Sequence, residues 1–321
     1  MSAVIERETE LAPDVTGDTV IGVLLMAYGS PRNLDEVEPY LQDIRGGKTP
    51  SPEAVEELKE RYRKIGGHSP LLEITQRQAE ALRSRLDATF PGRYRTYVGM
   101  KHWHPYIAEA VSQMIADGVT RVLGVVMAPH YSQMSVGGYQ SRLQDAVEAL
   151  GATIEVGVIP NWYDDADFVG FSAENLRIAA KGWKDDGSTR VIFTAHSLPE
   201  RILQAGDPYP DQLLDSSQLV AGAAGADNWE FAFQSASETG VPWLGPDLME
   251  RLGAFAAEGG RRALVYPIGF VADHLEILYD LDIEASELAG RLGLEFRRTP
   301  SPNDDPAFMD ALAGIVKTRG G

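Results

Sequence analysis

The chain has 321 residues, 44% hydrophobic and 24% charged, which is globular composition at a length beyond the ~250 residues where single cores stop growing. It contains no cysteine, which excludes disulfides, thiolate metal sites and an iron–sulfur cluster held by this chain. A net charge of -18 argues against nucleic acid and anionic membranes as partners, since both need a positive field, and an acidic small substrate would need a local basic patch.

The polar start over 1–18 has no basic flank with an apolar core, and no apolar run approaches the ~20 residues that span a bilayer. A cytoplasmic chain with no integral membrane segment and a flexible N-terminal tail is expected. Apolar, β-branched runs then predict strands at 19–28, 94–102, 121–129 and 153–160, with helical period at 52–66, 71–86 and 106–118. Further strands are predicted at 190–197, 229–235 and 262–270, a helix at 273–292 and a weaker strand at 294–298. This alternation is that of an α/β protein with parallel sheets flanked by helices. A boundary between Trp162 and Asp167 gives domains over 19–163 and 164–321, the C-terminal helix packing back on the first. The first strand of each half ends on a related phrase, Ala27-Tyr28-Gly29-Ser30-Pro31 and Ala195-His196-Ser197-Leu198-Pro199. Ligands of open parallel sheets sit beyond the carboxyl ends of strands, which is where both phrases fall.

Of six histidines, His196 is the most suggestive, because it follows the apolar run VIFTA and emerges at the rim of a strand. The competing reading is a core histidine satisfied by a backbone carbonyl. Glu276, Asp280 and Glu284 stand at i, i+4 and i+8 of the last predicted helix and stack on one face. That stripe reads either as a solvated acidic face or as a row that attracts hydrated divalent cations, with a mixed His and Glu site nearest His196. His274, two residues before Glu276, reads as a supporting neighbour of the site or as a helix cap. Arg45, Arg61 and Lys101 lie in segments near Tyr62, Ser69 and Tyr139; such basic groups are either solvated or holders of substrate carboxylates. No Walker sequence, GxGxxG, GxSxG or HExxH is present.

The phrases LLMAYGSP, RYRKIGGHSPL, VGMKHWHPYI, MAPHYSQMSVGGYQSR, TAHSLPERI, GDPYPDQL, PWLGPDL and GFVADHLEILYDLDIE occur in an order that resembles the ferrochelatases, within them the soluble bacterial coproporphyrin ferrochelatases. The resemblance implies two Rossmann-like, chelatase-type domains with a porphyrin cleft between them. It implies insertion of Fe2+ into coproporphyrin III with release of two protons, in haem biosynthesis. Coproporphyrin III and Fe2+ are then the partners, Fe2+ as a substrate with no permanently bound cofactor, along with transient contact with downstream haem-pathway enzymes. His196 and Glu276 match the family's metal site, Tyr28 the axial ligand of the product iron on the opposite porphyrin face, and Asp280 and Glu284 the outer carboxylates of a metal path. Arg45, Arg61, Tyr62, Ser69 and Tyr139 match positions that contact the porphyrin, mainly its propionates, and His102 stands with His274 as a supporting neighbour. Gly46 departs from relatives that carry a second arginine there, and SASETGVPW differs in its loop. A neutral His196, with an ordinary pKa near ~6.5, suits removal of a pyrrole proton at neutral pH if its surroundings leave that value in place. The rival expectations are a protoporphyrin IX ferrochelatase and a non-catalytic haem or porphyrin carrier that binds through Tyr28.

Overall fold

In the computed structural model, which describes residues 19–183, 187–237 and 240–319, β1 (Ile21–Ala27) is buried at every position. A strand that carries an unbroken apolar run must be covered on both faces, which is the condition of a central strand in a parallel sheet. The expected N-terminal tail over 1–18 lies outside the described residues.

The chain divides into two units. The first runs through Trp162 and takes in Ala272–His274 and the segment from Pro302; the second comprises Tyr163–Val271 and Leu275–Ser301. In the first unit β1 is followed by α1 (Val37–Ile44), α2 (Pro52–Lys64), α3 (Leu71–Thr89), β2 (Tyr94–Met100), α4 (Ile107–Ala116), β3 (Arg121–Val126), α5 (Val136–Ala149) and β4 (Glu155–Ile159). These strands form a parallel sheet in the order β2-β1-β3-β4. Successive side chains of a strand point to opposite faces. Leu24 and Met26 accordingly join α4 and α5 through Val111, Met114 and Leu143, while Ala27 packs with Leu71 and Ile74 of α3.

The second unit repeats the plan. It runs α6 (Ala166–Ala180), β5 (Thr189–His196), α7 (Arg201–Gln204), α8 (Tyr209–Ala224), β6 (Trp229–Gln234), α9 (Leu248–Ala257), β7 (Arg262–Tyr266), a π-helix (Glu276–Ala285), α10 (Ser286–Arg291) and β8 (Glu295–Arg298). Its parallel sheet has the order β6-β5-β7-β8, so β5 holds the place that β1 holds in the first. Val191, Phe193 and Ala195 face α8 through Leu213 and Val220, and Ile192 faces α9 and the π-helix through Leu252, Ile277 and Leu281. The last helix, α11 (Pro306–Arg319), belongs to the first unit, where Arg85 pairs with Asp310 at 2.5 Å and Phe308 packs against Trp162.

Two expectations change. The strand predicted at 262–270 ends at Tyr266, because Pro267 has no N–H for the ladder and the chain turns there. The helix predicted over 273–292 starts later, at Leu275, and over Glu276–Ala285 its backbone bonds run i to i+5, the wide form that is rare and concentrated at functional sites. Among the described residues no helix is long and apolar enough to cross a membrane.

Candidate functional site

In each sheet the connections reverse direction beside the first strand, between β1 and β3 and again between β5 and β7. Such switch points open a crevice at the carboxyl ends of strands. His196 is the last residue of β5, and the chain leaving β7 leads through Pro267–His274 into the π-helix headed by Glu276. The Gly269 N–H donates to the Thr194 carbonyl at 3.2 Å, which folds that connection over the end of β5. His196 Nε2 and Glu276 Oε1 thereby come within 3.4 Å, each side chain 30% exposed.

The backbone that carries the pair is anchored by neighbouring strands and helices. The Thr194 hydroxyl donates to Gln234 Oε1 at 2.8 Å, and Gln234 Nε2 donates to the Glu276 carbonyl at 3.3 Å. The Tyr209 hydroxyl donates to the His196 carbonyl at 3.0 Å, and the Trp243 ring lies 6.2 Å from the imidazole. His196 Nδ1 faces the Ser197 carbonyl. A carbonyl only accepts, so Nδ1 carries the hydrogen and Nε2 is the atom that can hold a metal or take a proton.

Burial alone would lower the His196 pKa, but the Glu276 carboxylate, the Ser197 carbonyl and the more distant Asp280 outweigh it and raise the imidazole to about 9. This corrects the expectation of a neutral imidazole: beside Glu276, His196 carries a proton at pH 7. Asp280 and Glu284 follow Glu276 along the π-helix, and the wider turn keeps positions four and eight residues apart close to one face. Glu284 is exposed and Asp280 only 4% exposed. Asp280 accepts a short hydrogen bond from the Ser235 hydroxyl, and Ser235 is held at φ 61, a left-handed conformation unusual for a side-chain-bearing residue. Among the described residues no group of three or more His, Asp or Glu side chains is placed to hold a metal ion. His196 and Glu276 thus form a two-donor site, apt for an ion that is passed on rather than kept.

The remaining predicted residues belong to the first unit. Tyr28 leaves β1, is 42% exposed and tilts at 51° against the His102 ring, 4.6 Å between centroids. The Lys101 and His102 N–H groups donate to the Ala27 and Tyr28 carbonyls, both at 2.9 Å, which ties the exit of β2 to that of β1. His102 Nδ1 donates to Asp43 of α1 at 2.8 Å. Burial lowers the His102 pKa against the pull of Asp43. Tyr139 of α5, 6% exposed, lies under the Lys101 ammonium at 4.9 Å. Tyr62 at the end of α2 and Ser69 in the following turn are buried, Arg61 is half-buried, and Arg45 at the end of α1 is exposed. His274 Nδ1 donates to the Ala272 carbonyl at 2.9 Å, within the short segment Ala272–His274 that belongs to the first unit.

Thr194, Tyr209, Gln234, Ser235 and Asp43 make these contacts without having been expected from the sequence pattern. Gln234 and Ser235 stand at the carboxyl end of β6 as His196 does at β5, so the same strand-end rule could have found them. Tyr209 reaches His196 from α8 in the second unit and Asp43 reaches His102 from α1 in the first, and nothing in their spacing marks either.

A family model described as ferrochelatase matches residues 20–320. The chain is 47% identical over 296 residues to a protein named ferrochelatase from Herpetosiphon aurantiacus, covering 92% of this chain and 97% of that one. It is 43% identical over 302 residues to a protein named coproporphyrin III ferrochelatase from Geobacillus kaustophilus, covering 93% and 95%. Among solved structures it resembles a sirohydrochlorin chelatase of Bacillus subtilis subspecies spizizenii in complex with cobalt, with a TM-score of 0.56 and 10% identity over 94% of this chain and 96% of that one. At that identity the likeness is one of fold.

Proposed function

The chain belongs to the ferrochelatase family, a metal-chelating lyase of haem biosynthesis that acts on a porphyrin and a metal ion, and on that premise we propose that it inserts Fe2+ into coproporphyrin III. The observation that carries the reading is the His196–Glu276 pair, two donors 3.4 Å apart at a sheet switch point with carboxylates trailing along one helix face.

Insertion requires two pyrrole protons to leave as the metal enters. At neutral pH the pair holds one proton, on His196. An arriving dication that passes Glu284 and Asp280 exchanges bound waters for Glu276 and His196 Nε2, and the His196 proton leaves to solvent. As the iron moves on to the ring nitrogens, His196 Nε2 and Glu276 are both free to accept, one pyrrole proton each. Tyr28 supplies an oxygen ligand to the product iron. Arg45, Arg61, Tyr62, Ser69 and Tyr139 hold the porphyrin, chiefly through its carboxylates, and the binding energy they supply bends the ring toward the metal, a strain of ~1 to 5 kcal/mol. Iron here is a substrate, and the chain works without a resident cofactor.

Coproporphyrin is favoured over protoporphyrin because relatives at 40 to 43% identity bear that name and because Tyr28 provides the axial oxygen. The test is anaerobic insertion of Fe2+ into coproporphyrin III beside protoporphyrin IX, with wild type and His196→Ala. Faster turnover of coproporphyrin, lost in His196→Ala, is the expected result. Equal or better turnover of protoporphyrin would reverse the substrate assignment, and full activity of His196→Ala would remove the histidine from the chemistry. Stoichiometric porphyrin binding without turnover would make the protein a carrier.

A further inference from the structure

Glu36, Tyr40 and Asp43 follow one another at helical spacing at the start and along the length of α1, which puts them on one face of it. Each makes a contact to a strand exit beside Tyr28. The Tyr40 hydroxyl donates to the Gly29 carbonyl at 3.0 Å, on the chain leaving β1. Glu36 Oε2 accepts from Trp103 Nε1 at 2.7 Å and Asp43 Oδ2 accepts from His102 Nδ1 at 2.8 Å, on the chain leaving β2. Two carboxylates on one helix face thus hold the rings of two consecutive residues, and Tyr40 between them meets the Trp103 ring edge-on at 6.0 Å.

The consequence falls on Tyr28. Its main chain is fixed by the His102 N–H, which donates to the Tyr28 carbonyl at 2.9 Å. Its side chain is exposed, and an exposed ring keeps its choice of rotamers unless a neighbour selects one. One such neighbour is the His102 imidazole, 4.6 Å away between centroids and tilted at 51°. An imidazole turns about its own side-chain bonds, so it serves as a platform only when it is held. Asp43 holds it. A carboxylate only accepts, so Nδ1 carries the hydrogen, and a bond to a charged acceptor is of the stronger kind. His102 is buried, which leaves water little access to compete for that hydrogen.

We propose that Asp43 is a positioning residue for the product: by pinning the His102 ring it aims the Tyr28 phenol at the metallated porphyrin and so sets how firmly the product is held. This role rests on the reading of Tyr28 as the axial oxygen ligand of the product iron. An oxygen that must first find its rotamer ligates more weakly, because the ordering then opposes binding.

The test is the affinity of the full-length protein for ferric coproporphyrin III and for metal-free coproporphyrin III, by quenching of tryptophan fluorescence, with the charge-transfer band of the iron complex recorded alongside. Asp43→Ala should weaken the iron complex about fivefold and shift its band, while metal-free porphyrin, with no iron to ligate, stays within about twofold. Asp43→Asn keeps an acceptor oxygen and should restore most of the affinity and the band. In Tyr28→Phe, which lacks the oxygen ligand, adding Asp43→Ala should change iron-complex affinity by less than about twofold. Equal losses for the two porphyrins, an unshifted band in Asp43→Ala, no gain of asparagine over alanine, or the full loss repeated in the Tyr28→Phe background would each overturn the proposal. Failure of the underlying reading looks different: wild type would bind neither porphyrin, or Tyr28→Phe would keep the wild-type band, and the proposal would fall with it.

Discussion

The Tyr209 hydroxyl is buried against the His196 main-chain carbonyl, donating to it at 3.0 Å. This bond fixes the last peptide of β5 from the α8 side, while Gln234 holds Glu276 from the β6 side. Tyr209→Phe removes the donor and leaves a buried carbonyl short of a partner, which should lower unfolding free energy by about 1 to 3 kcal/mol. Urea denaturation measures that loss. Single-turnover insertion should slow in the same variant, because Nε2 is aimed by the peptide that Tyr209 anchors, while porphyrin affinity stays as in wild type.

The proton on His196 sets the pH dependence of iron use. With the imidazole at about 9, the dication competes with a proton throughout the neutral range. The apparent KM for Fe2+ should therefore fall up to about tenfold for each unit rise in pH and level off near the imidazole pKa. Glu276→Gln removes the main charge that raises the imidazole, burial then prevails, and the plateau should begin at a lower pH. Anaerobic initial rates across a pH series would show it; a plateau that stayed in place would mean another group controls metal capture.

Ser235 combines a strained backbone with a bond to Asp280, and two substitutions separate these contributions. Ser235→Ala keeps the left-handed strain and loses the bond. Ser235→Gly loses the bond but adopts φ 61 freely. Both should raise the apparent KM for Fe2+ about threefold with little change in kcat, if Asp280 guides the ion before chemistry. In thermal melts the glycine variant should stand above the alanine variant by about 1 kcal/mol. The reverse order would show that the turn is not strained.

Gly29 follows Tyr28 at φ 96, and a Cβ there would lie 2.9 Å from the Trp103 N atom and 3.2 Å from Met100 Cβ. Backbone and core atoms of this kind do not yield cheaply. Gly29→Ala should cost about 2 kcal/mol or more of stability. It should also move Tyr28 off His102, visible as a change in the charge-transfer band of the ferric product. Stability unchanged in equilibrium unfolding would refute the close-packed turn.

Much of this architecture was legible in the residues because buried strands of parallel sheets are continuous apolar runs. β1, β3 and β5 announce themselves in that way. The ends were less legible: Ile268 is as buried as a strand residue, so hydrophobicity continues past Tyr266 although pairing stops. For His196 and Glu276, the strand-end rule and the carboxylate spacing marked each residue alone. Their approach depends on β5 and β7 lying side by side although β6 separates them in the chain, and only sheet order supplies that. The protonation of His196 was hidden for the same reason, since its cause is that neighbour. A carboxylate row at four-residue intervals fits an α-helix and a π-helix alike, so the wider form left no trace in the pattern.

The π-helix over Glu276–Ala285 makes segment length itself part of the inherited design. A helix closed by i to i+5 bonds holds one residue more per hydrogen-bonded ring than its common counterpart. Removing any one residue inside it would let the tighter ladder form and would turn everything downstream by about 100°. Asp280 or Glu284 would then swing away from the direction set by Glu276, while Ile277 and Leu281 would lose their seat beneath Ile192. Descendants of this chain can therefore exchange side chains in that stretch more readily than they can tolerate an insertion or deletion.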